Sequence, residues 1–375
     1  METNNKYTTE VTDEDLENSI EDEYGCMYSP DGKRLLKCNE DIESYTIKEG
    51  TEVICDDAFS ECESLWDIDI PKSVTKIGDK AFSWCSSLQS IVIPDSVTKI
   101  GWNAFDSCDS LQSIVIPDSV TEIGWNAFVC CKSLQSIVIS KSVTEIGHDV
   151  FGDCSSLQSI IIPESVTKIG LMAFSECESL RSIDIPESVT EIGCSAFEGC
   201  SSLQSIVIPD SVTKIGWNAF PSGIELTLHS SKFVVENDLL IDLEKKRLIQ
   251  CLKDKDSVVI PDSVTTIGNY AFSECKSLQS IIIPNSVTEI GDWAFGDCDS
   301  LQSIVIPKSV TEIGMHAFGG CDSLESIVFP ESVTKIGEGV FNWCTSLQSI
   351  VIPKGTREYF EGLLERRHQE LLKEE

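Results

Sequence analysis

The sequence predicts a repeat solenoid, mainly β, with a parallel sheet on one face and short extended or helical turns on the other. Three observations predict it. A glycine recurs at Gly78, Gly101, Gly124, Gly147, Gly170, Gly193 and Gly216, a constant step of 23 residues, and resumes at Gly268, Gly291, Gly314 and Gly337 after one interruption. Periods of about 20–50 residues mark stacked repeats. Every unit follows G-x-x-A-F-x-x-C-x-S-L-x-S-I-x-I-P-x-S-V-T-x-I, and 12 copies carry the Ala-Phe or Val-Phe pair, from Ala58-Phe59 to Val340-Phe341. No unit can bury its apolar face alone, so each needs a neighbour stacked on it.

Within one unit the elements follow in order. Leu88, Ile91 and Ile93 lie at spacings of three and two, the L-x-x-I-x-I pattern of a short strand and its lead-in. Strand alternation sends Val92 to the opposite face. Pro94 ends the strand, because proline cannot donate to a ladder. Val97 and Ile100 turn inward in a second extended piece, Gly101 turns the chain, and Trp102–Cys108 reads as about one helical turn with Ala104, Phe105 and Cys108 inward. Phe82, Phe105, Phe128, Phe151 and Phe174 should then form a ladder through the core.

The pattern AFxxCxSLxSIxIPxSVTxIG resembles the 23-residue leucine-rich repeats of BspA-type bacterial surface proteins, over roughly residues 24 to 353. The resemblance implies a leucine-rich repeat fold and a surface or secreted adhesion and interaction role in host-associated microbes.

Composition limits the partners. Lys plus Arg total 28 against 62 Asp plus Glu, a formal charge of −34, and such a surface repels nucleic acid and anionic lipid. Met1–Glu23 is acidic and has no apolar h-region; it is expected to be a disordered or loosely attached leader. No apolar run of about 18 residues occurs, so no membrane insertion is expected. Localisation is thereby pulled two ways: cytoplasmic by the lack of a signal peptide, cell surface or secreted by resemblance. Eleven of the 17 cysteines fall on the repeat column from Cys62 to Cys344, where a free Cys packs as a small buried hydrophobe. The odd total and the missing signal favour reduced thiols.

Along the chain, residues 24–232 read as a hairpin plus a first repeat block. Cys26–Ser29 and Lys33–Leu36 flank the turn signal Pro30-Asp31-Gly32. Residues 233–353 read as a second hairpin and block, continuous with the first. Phe233–Leu252 matches the first hairpin at a constant offset of 213, since Arg247 answers Arg34, Cys251 answers Cys38 and Phe272 answers Phe59. The Gly216 unit is degenerate, with Pro221-Ser222-Gly223 where its turn should be, but Ile224–Leu228 still alternates as a strand. Residues 354–375 read as an amphipathic C-terminal capping helix started by Thr356, with Phe360, Leu363, Leu364, Leu371 and Leu372 on its apolar stripe.

Catalytic signatures are lacking. The four histidines, His148, His229, His316 and His368, sit in different units without a repeated Asp or Cys partner. No nucleophile-elbow, zinc-protease, P-loop or dinucleotide motif occurs. The expectation is a non-enzyme with no cofactor and no metal. Two surfaces remain as candidate protein-binding sites. One is the outward sheet column of Val92, Val115, Val138, Ile161, Val207, Ile282, Val305 and Val328, a nearly unbroken aliphatic stripe, interrupted by Asp184, of the kind that marks interaction surfaces, although strand propensity alone also favours Val there. The other is the slot after the repeat glycine, where Trp102 and Trp125 stand in adjacent units and Trp is enriched at hot spots. The sequence therefore reads as a non-catalytic, monomeric interaction module for an unidentified protein ligand. Adhesion or host interaction leads; an intracellular scaffold or adaptor is the alternative.

Overall fold

The structure, a computed structural model, describes residues 7–375. It forms two compact units, the first ending at Lys214 and the second beginning at Ile215. Each is a β-solenoid built on the 23-residue step.

In the first unit the strands Ser113–Val115, Ser136–Val138, Ser159–Ile161 and Ser182–Asp184 pair parallel and in register, with Ser113, Ser136, Ser159 and Ser182 side by side. The second extended pieces make their own parallel ladder, Val53–Ile54, Lys76–Ile77, Lys99–Ile100 and Glu122–Ile123. The ladder partner of each residue is its equivalent one repeat later. Between the two strands of a unit, the Val97 amide donates to the Pro94 carbonyl at 3.0 Å, which closes a tight turn.

The stretch read as a helical turn, Trp102–Cys108, is a pair of hydrogen-bonded turns instead of an α-helix. Asn103 and Ser107 are left-handed, at φ 53° and 56°. The Asp106 and Cys108 amides donate three residues back, to Asn103 and Phe105. The alternate amides of Asn103, Phe105 and Ser107 donate to the next repeat, at Trp125, Ala127 and Val129, at 3.0, 2.8 and 2.9 Å. A helix would consume those donors internally; here they bind one repeat to the next. The repeat glycine serves close approach rather than a left-handed turn. A Cβ on Gly124 would stand 2.5 Å from the Gly101 carbonyl carbon and 2.5 Å from the Trp102 nitrogen.

The core is a set of ladders. Phe59, Phe82, Phe105, Phe128, Phe151, Phe174 and Phe197 stack ring on ring with centroids 5.1 to 5.7 Å apart. In the second unit Phe272, Phe295, Phe318 and Phe341 also stack, with centroids 5.1 to 5.9 Å apart. The buried cysteine column adds a bond to each step. The thiols of Cys85, Cys108, Cys131, Cys154, Cys177 and Cys200 each donate to the Phe carbonyl 26 residues earlier, at 3.1 to 3.2 Å. That slot needs a small donor, and Cys satisfies the carbonyl while packing as an apolar group. Burial pushes the thiols of Cys85, Cys108, Cys131 and Cys154 up, and that of Cys62, at the head of the column, to about 12.

Both ends depart from expectation. The leader, expected to be disordered or loose over residues 1–23, is docked across its described part, residues 7–23. Helix α1 (Asp13–Glu17) starts on a capping box between Thr12 and Asp15, and the strand Ile20–Glu21 pairs antiparallel with Met27–Tyr28. The hairpin of Met27–Tyr28 with Arg34–Lys37 is present as read, and the leader extends it to a three-stranded meander. Arg34 anchors the leader through Asp15 at 2.7 Å. The all-reduced reading of the thiols is also corrected, because Cys26 and Cys38 form a disulfide. They flank the paired residues Met27 and Lys37 on opposite strands, so the hairpin brings them face to face. The remaining 15 cysteines lie outside this disulfide.

The second unit begins at Ile215, ahead of the boundary expected at 233: the degenerate repeat supplies the strand Glu225–Leu228, and the matching meander follows as Phe233–Glu236, Leu239–Asp242 and Arg247–Cys251. At its other end the single capping helix expected over 354–375 is split. Helix α2 (Arg357–Leu363) stops where Leu364 turns extended, α3 spans Arg366–Gln369, and Leu372–Glu374 pairs parallel with the last repeat strand, Ser349–Ile352. That strand would otherwise expose a row of unpaired amides and carbonyls, and an added strand covers the edge that a helix alone would leave open. Phe360, Leu364 and Leu372 are buried in the core, so the segment still caps it.

Candidate interaction surfaces

Alternation along each S-I-V strand buries the Ile and exposes the Val. All eight residues of the predicted aliphatic column are exposed, from Val328 at 39% to Ile161 at 83%. Register brings Val115, Val138 and Ile161 side by side in the first unit. The bridge from Ser90 to Ser113 sets Val92 beside them, and Val207 belongs to the strand Ser205–Ile208. In the second unit Val305 and Val328 are ladder neighbours.

There the column is not flat. Ile282, Val305 and Val328 line a groove of about 1210 Å³, flanked by Pro307, Pro330 and Pro353, with Lys308 and Glu331 at its edge. The prolines that end the strands thus double as an apolar wall. An aliphatic floor with a few charges at the rim is the usual make-up of a binding cleft.

Trp102 and Trp125 lie apart from this column, on the turns after the second ladder. They are about half exposed, at 52% and 54%, and stack on one another with centroids 5.6 Å apart and planes 9° apart. His148 packs against Trp125 at a tilt, its ring plane 39° away. The glycine-slot reading missed a second and longer run in the second unit: Trp217 stacks on Tyr270, Tyr270 on Trp293, and Trp293 on both His316 and Trp343. Its members come from three slots of the repeat, directly after the Gly, two after the Gly and two after the Phe, so no single sequence column shows it. The signal was available only by pooling those slots.

No group of three or more His, Cys, Asp or Glu able to hold a metal ion occurs among the described residues. No helix among them is long and apolar enough to cross a membrane.

In-register repeats of L-x-x-I-x-I strands, closed by turns and an inward polar donor column, define a leucine-rich repeat protein. The family model of the BspA type leucine rich repeat region matches residues 33–157, 123–233 and 247–363, and the chain belongs to that family. Among solved structures it is similar to a leucine rich cell surface protein from Faecalibacterium prausnitzii, with 30% identity over 92% of this chain and 97% of that one and a TM-score of 0.63. It is also similar to a leucine-rich repeat protein from Bacteroides ovatus, with 28% identity over 93% and 88% of the two chains and a TM-score of 0.55. No curated protein matches it.

Proposed function

We propose that this chain is a non-catalytic interaction protein of the adhesion or host-interaction type, which binds an extended protein segment along the exposed aliphatic column of the second unit. The groove over Ile282, Val305 and Val328 carries the reading, because it joins a continuous apolar floor to a polar rim on a rigid ladder. The repeat spacing would offer the partner one equivalent contact per turn, so weak contacts add through effective concentration. The stacked Trp102 and Trp125 are a second anchor of the same function. The likeness to a cell surface protein over nearly its whole length supports the surface location. So does the Cys26–Cys38 bridge, since disulfides persist in oxidising compartments. The intracellular scaffold reading draws on the 15 cysteines outside the disulfide, but most are buried hydrogen-bond donors that either compartment tolerates.

The test is binding of the whole chain to a panel of immobilised extracellular-matrix and mucin proteins, with Val305→Lys plus Val328→Lys and Trp102→Ala plus Trp125→Ala alongside. Saturable binding that the valine pair abolishes and the tryptophan pair weakens supports the proposal. Binding indifferent to both pairs overturns it. Protease shaving of intact source cells decides location: repeat peptides released before lysis support the surface reading, and release only after lysis supports the scaffold.

A further inference from the structure

The constant offset of 213 residues superposes the two meanders in sequence, and it exposes one difference between them. In the first unit Arg34 lies beside a small apolar cluster of Leu36, Val53 and Cys55, and the leader fills the groove over it, with Tyr7 and Val11 packed on the cluster. The leader is held by its backbone as much as by its side chains. Arg34 Nε donates to the Thr8 carbonyl at 3.1 Å, one terminal guanidinium nitrogen to the Asp15 carboxylate at 2.7 Å, and the other to the Glu10 carbonyl. The Asp56 amide donates to the Thr9 carbonyl at 2.9 Å, and Lys76 Nζ to the Tyr7 carbonyl at 2.9 Å.

Adding 213 turns Arg34, Leu36, Val53, Cys55, Asp56 and Lys76 into Arg247, Ile249, Thr266, Gly268, Asn269 and Glu289. These six residues line an open groove of about 310 Å³, which Trp217 and Lys245 complete. That is the low end of the range for ligand sites. The chain segment that would correspond to the leader, 220–228, goes elsewhere: Phe220 bonds through its backbone to Gln250, and the Gly223 amide donates to Leu252. Arg247 Nε is buried without a hydrogen-bond partner, at the position where Arg34 Nε meets a peptide carbonyl. A buried donor left unmade is costly, and turning the guanidinium out onto an arriving carbonyl would remove that cost.

We propose that this groove in the second unit is a docking site for an extended acidic peptide segment of a partner protein. The segment sets a backbone carbonyl on Arg247 Nε and a carboxylate on the guanidinium end, where Lys245 adds a second positive charge. At its other end Glu289 replaces the lysine that receives the leader's first carbonyl, so the segment carries a donor there, a lysine or an amide. This requirement sets it apart from the leader of a second copy, which presents a carbonyl at that point. The site is separate from the aliphatic column and does not depend on it.

The experiment uses the whole chain and two fluorescent peptides, the leader sequence of residues 7–18 and the same peptide with Tyr7→Lys, followed by anisotropy. The expected result is that the lysine peptide binds more tightly. Arg247→Ala should weaken it about tenfold or more, the loss of one charged hydrogen bond, and Glu289→Lys should reverse the preference between the peptides. Lys245→Glu, an exposed change that leaves Arg247 in place, should also weaken binding. No binding by either peptide overturns the proposal. So does binding that Arg247→Ala leaves intact and Arg34→Ala abolishes, which would place the peptide in the leader's own groove. Concentration-dependent dimerisation lost in Arg247→Ala would identify the occupant as a second copy's leader and overturn the partner assignment.

Discussion

Replacing Gly124 by alanine separates two physical accounts of the repeat glycine, because they predict opposite signs. Gly124 does not have a left-handed backbone. On chain entropy alone, Gly→Ala at a compatible position stabilises by about 0.4–1 kcal/mol. The structure argues the reverse. The new Cβ would stand 2.5 Å from the Gly101 carbonyl carbon and 2.6 Å from its oxygen, against a comfortable separation of about 3.5 Å. Two adjacent turns would have to part by about 1 Å, pulling on the 2.9 Å bond from the Gly124 amide to the Ile100 carbonyl. Overpacking of that kind costs about 1–3 kcal/mol, and a clash this short with backbone atoms belongs near the upper end, which leaves a net loss of about 2 kcal/mol after the entropic gain. Urea denaturation followed by far-ultraviolet circular dichroism reads the global midpoint. Amide exchange between Trp102 and Ile137 reads the local effect, which matters because repeat arrays open locally. The control is Gly362→Ala in α2, where no atom lies within 4 Å of the added Cβ and a gain of up to about 1 kcal/mol is expected. An upward shift of the midpoint for Gly124→Ala, matching that control, would refute the close-approach account.

Three further outcomes follow from the same ladders. Cys131→Ala removes the thiol bond to the Phe105 carbonyl, 3.1 Å long, along with buried volume; it should cost about 1–2 kcal/mol by denaturation, and Cys131→Ser, which keeps a donor, should cost less. Burial raises the pKa values of the folded Cys62, Cys85, Cys108, Cys131 and Cys154 thiols, so they bind protons more tightly than the unfolded chain does. Their contribution is therefore complete below the unfolded value of 9.0 and declines as pH rises towards about 12 for Cys62; melting temperature under reducing conditions should fall over that window. Removing the Cys26–Cys38 bridge, which spans 12 residues, should cost about 3 kcal/mol, and limited proteolysis should then cut the N-terminal meander first.

Much of the fold was legible because the period does the work of a register. With one step of 23 residues, the neighbour of Ser113, Phe105 or Cys131 in space is its equivalent in sequence, so ladders and the exposed valine column can be read from a single repeat. The 213 offset also gives the first strand of the second meander a counterpart in the leader. It maps Phe233 onto Ile20, and the meander strand Phe233–Glu236 has its counterpart at Ile20–Glu21 inside the acidic leader. Composition hid it, because a strand so short carries almost no hydrophobic pattern of its own.

The sequence by itself determined the solenoid, the inward Leu, Ile, Phe and Cys columns and the outward Val, because each depends only on periodicity and strand alternation. Tertiary structure alone decided the rest. The disulfide, the leader on Arg34, the open groove at Arg247 and the aromatic run from Trp217 to Trp343 all join residues that occupy different slots of the repeat or lie outside it. The strand that closes the second unit is set the same way, by the unpaired edge of Ser349–Ile352 and not by the apolar stripe of the tail. A period fixes only the contacts between equivalent residues; contacts between unlike positions are settled by which donor, edge or cavity remains unfilled once the ladders have formed.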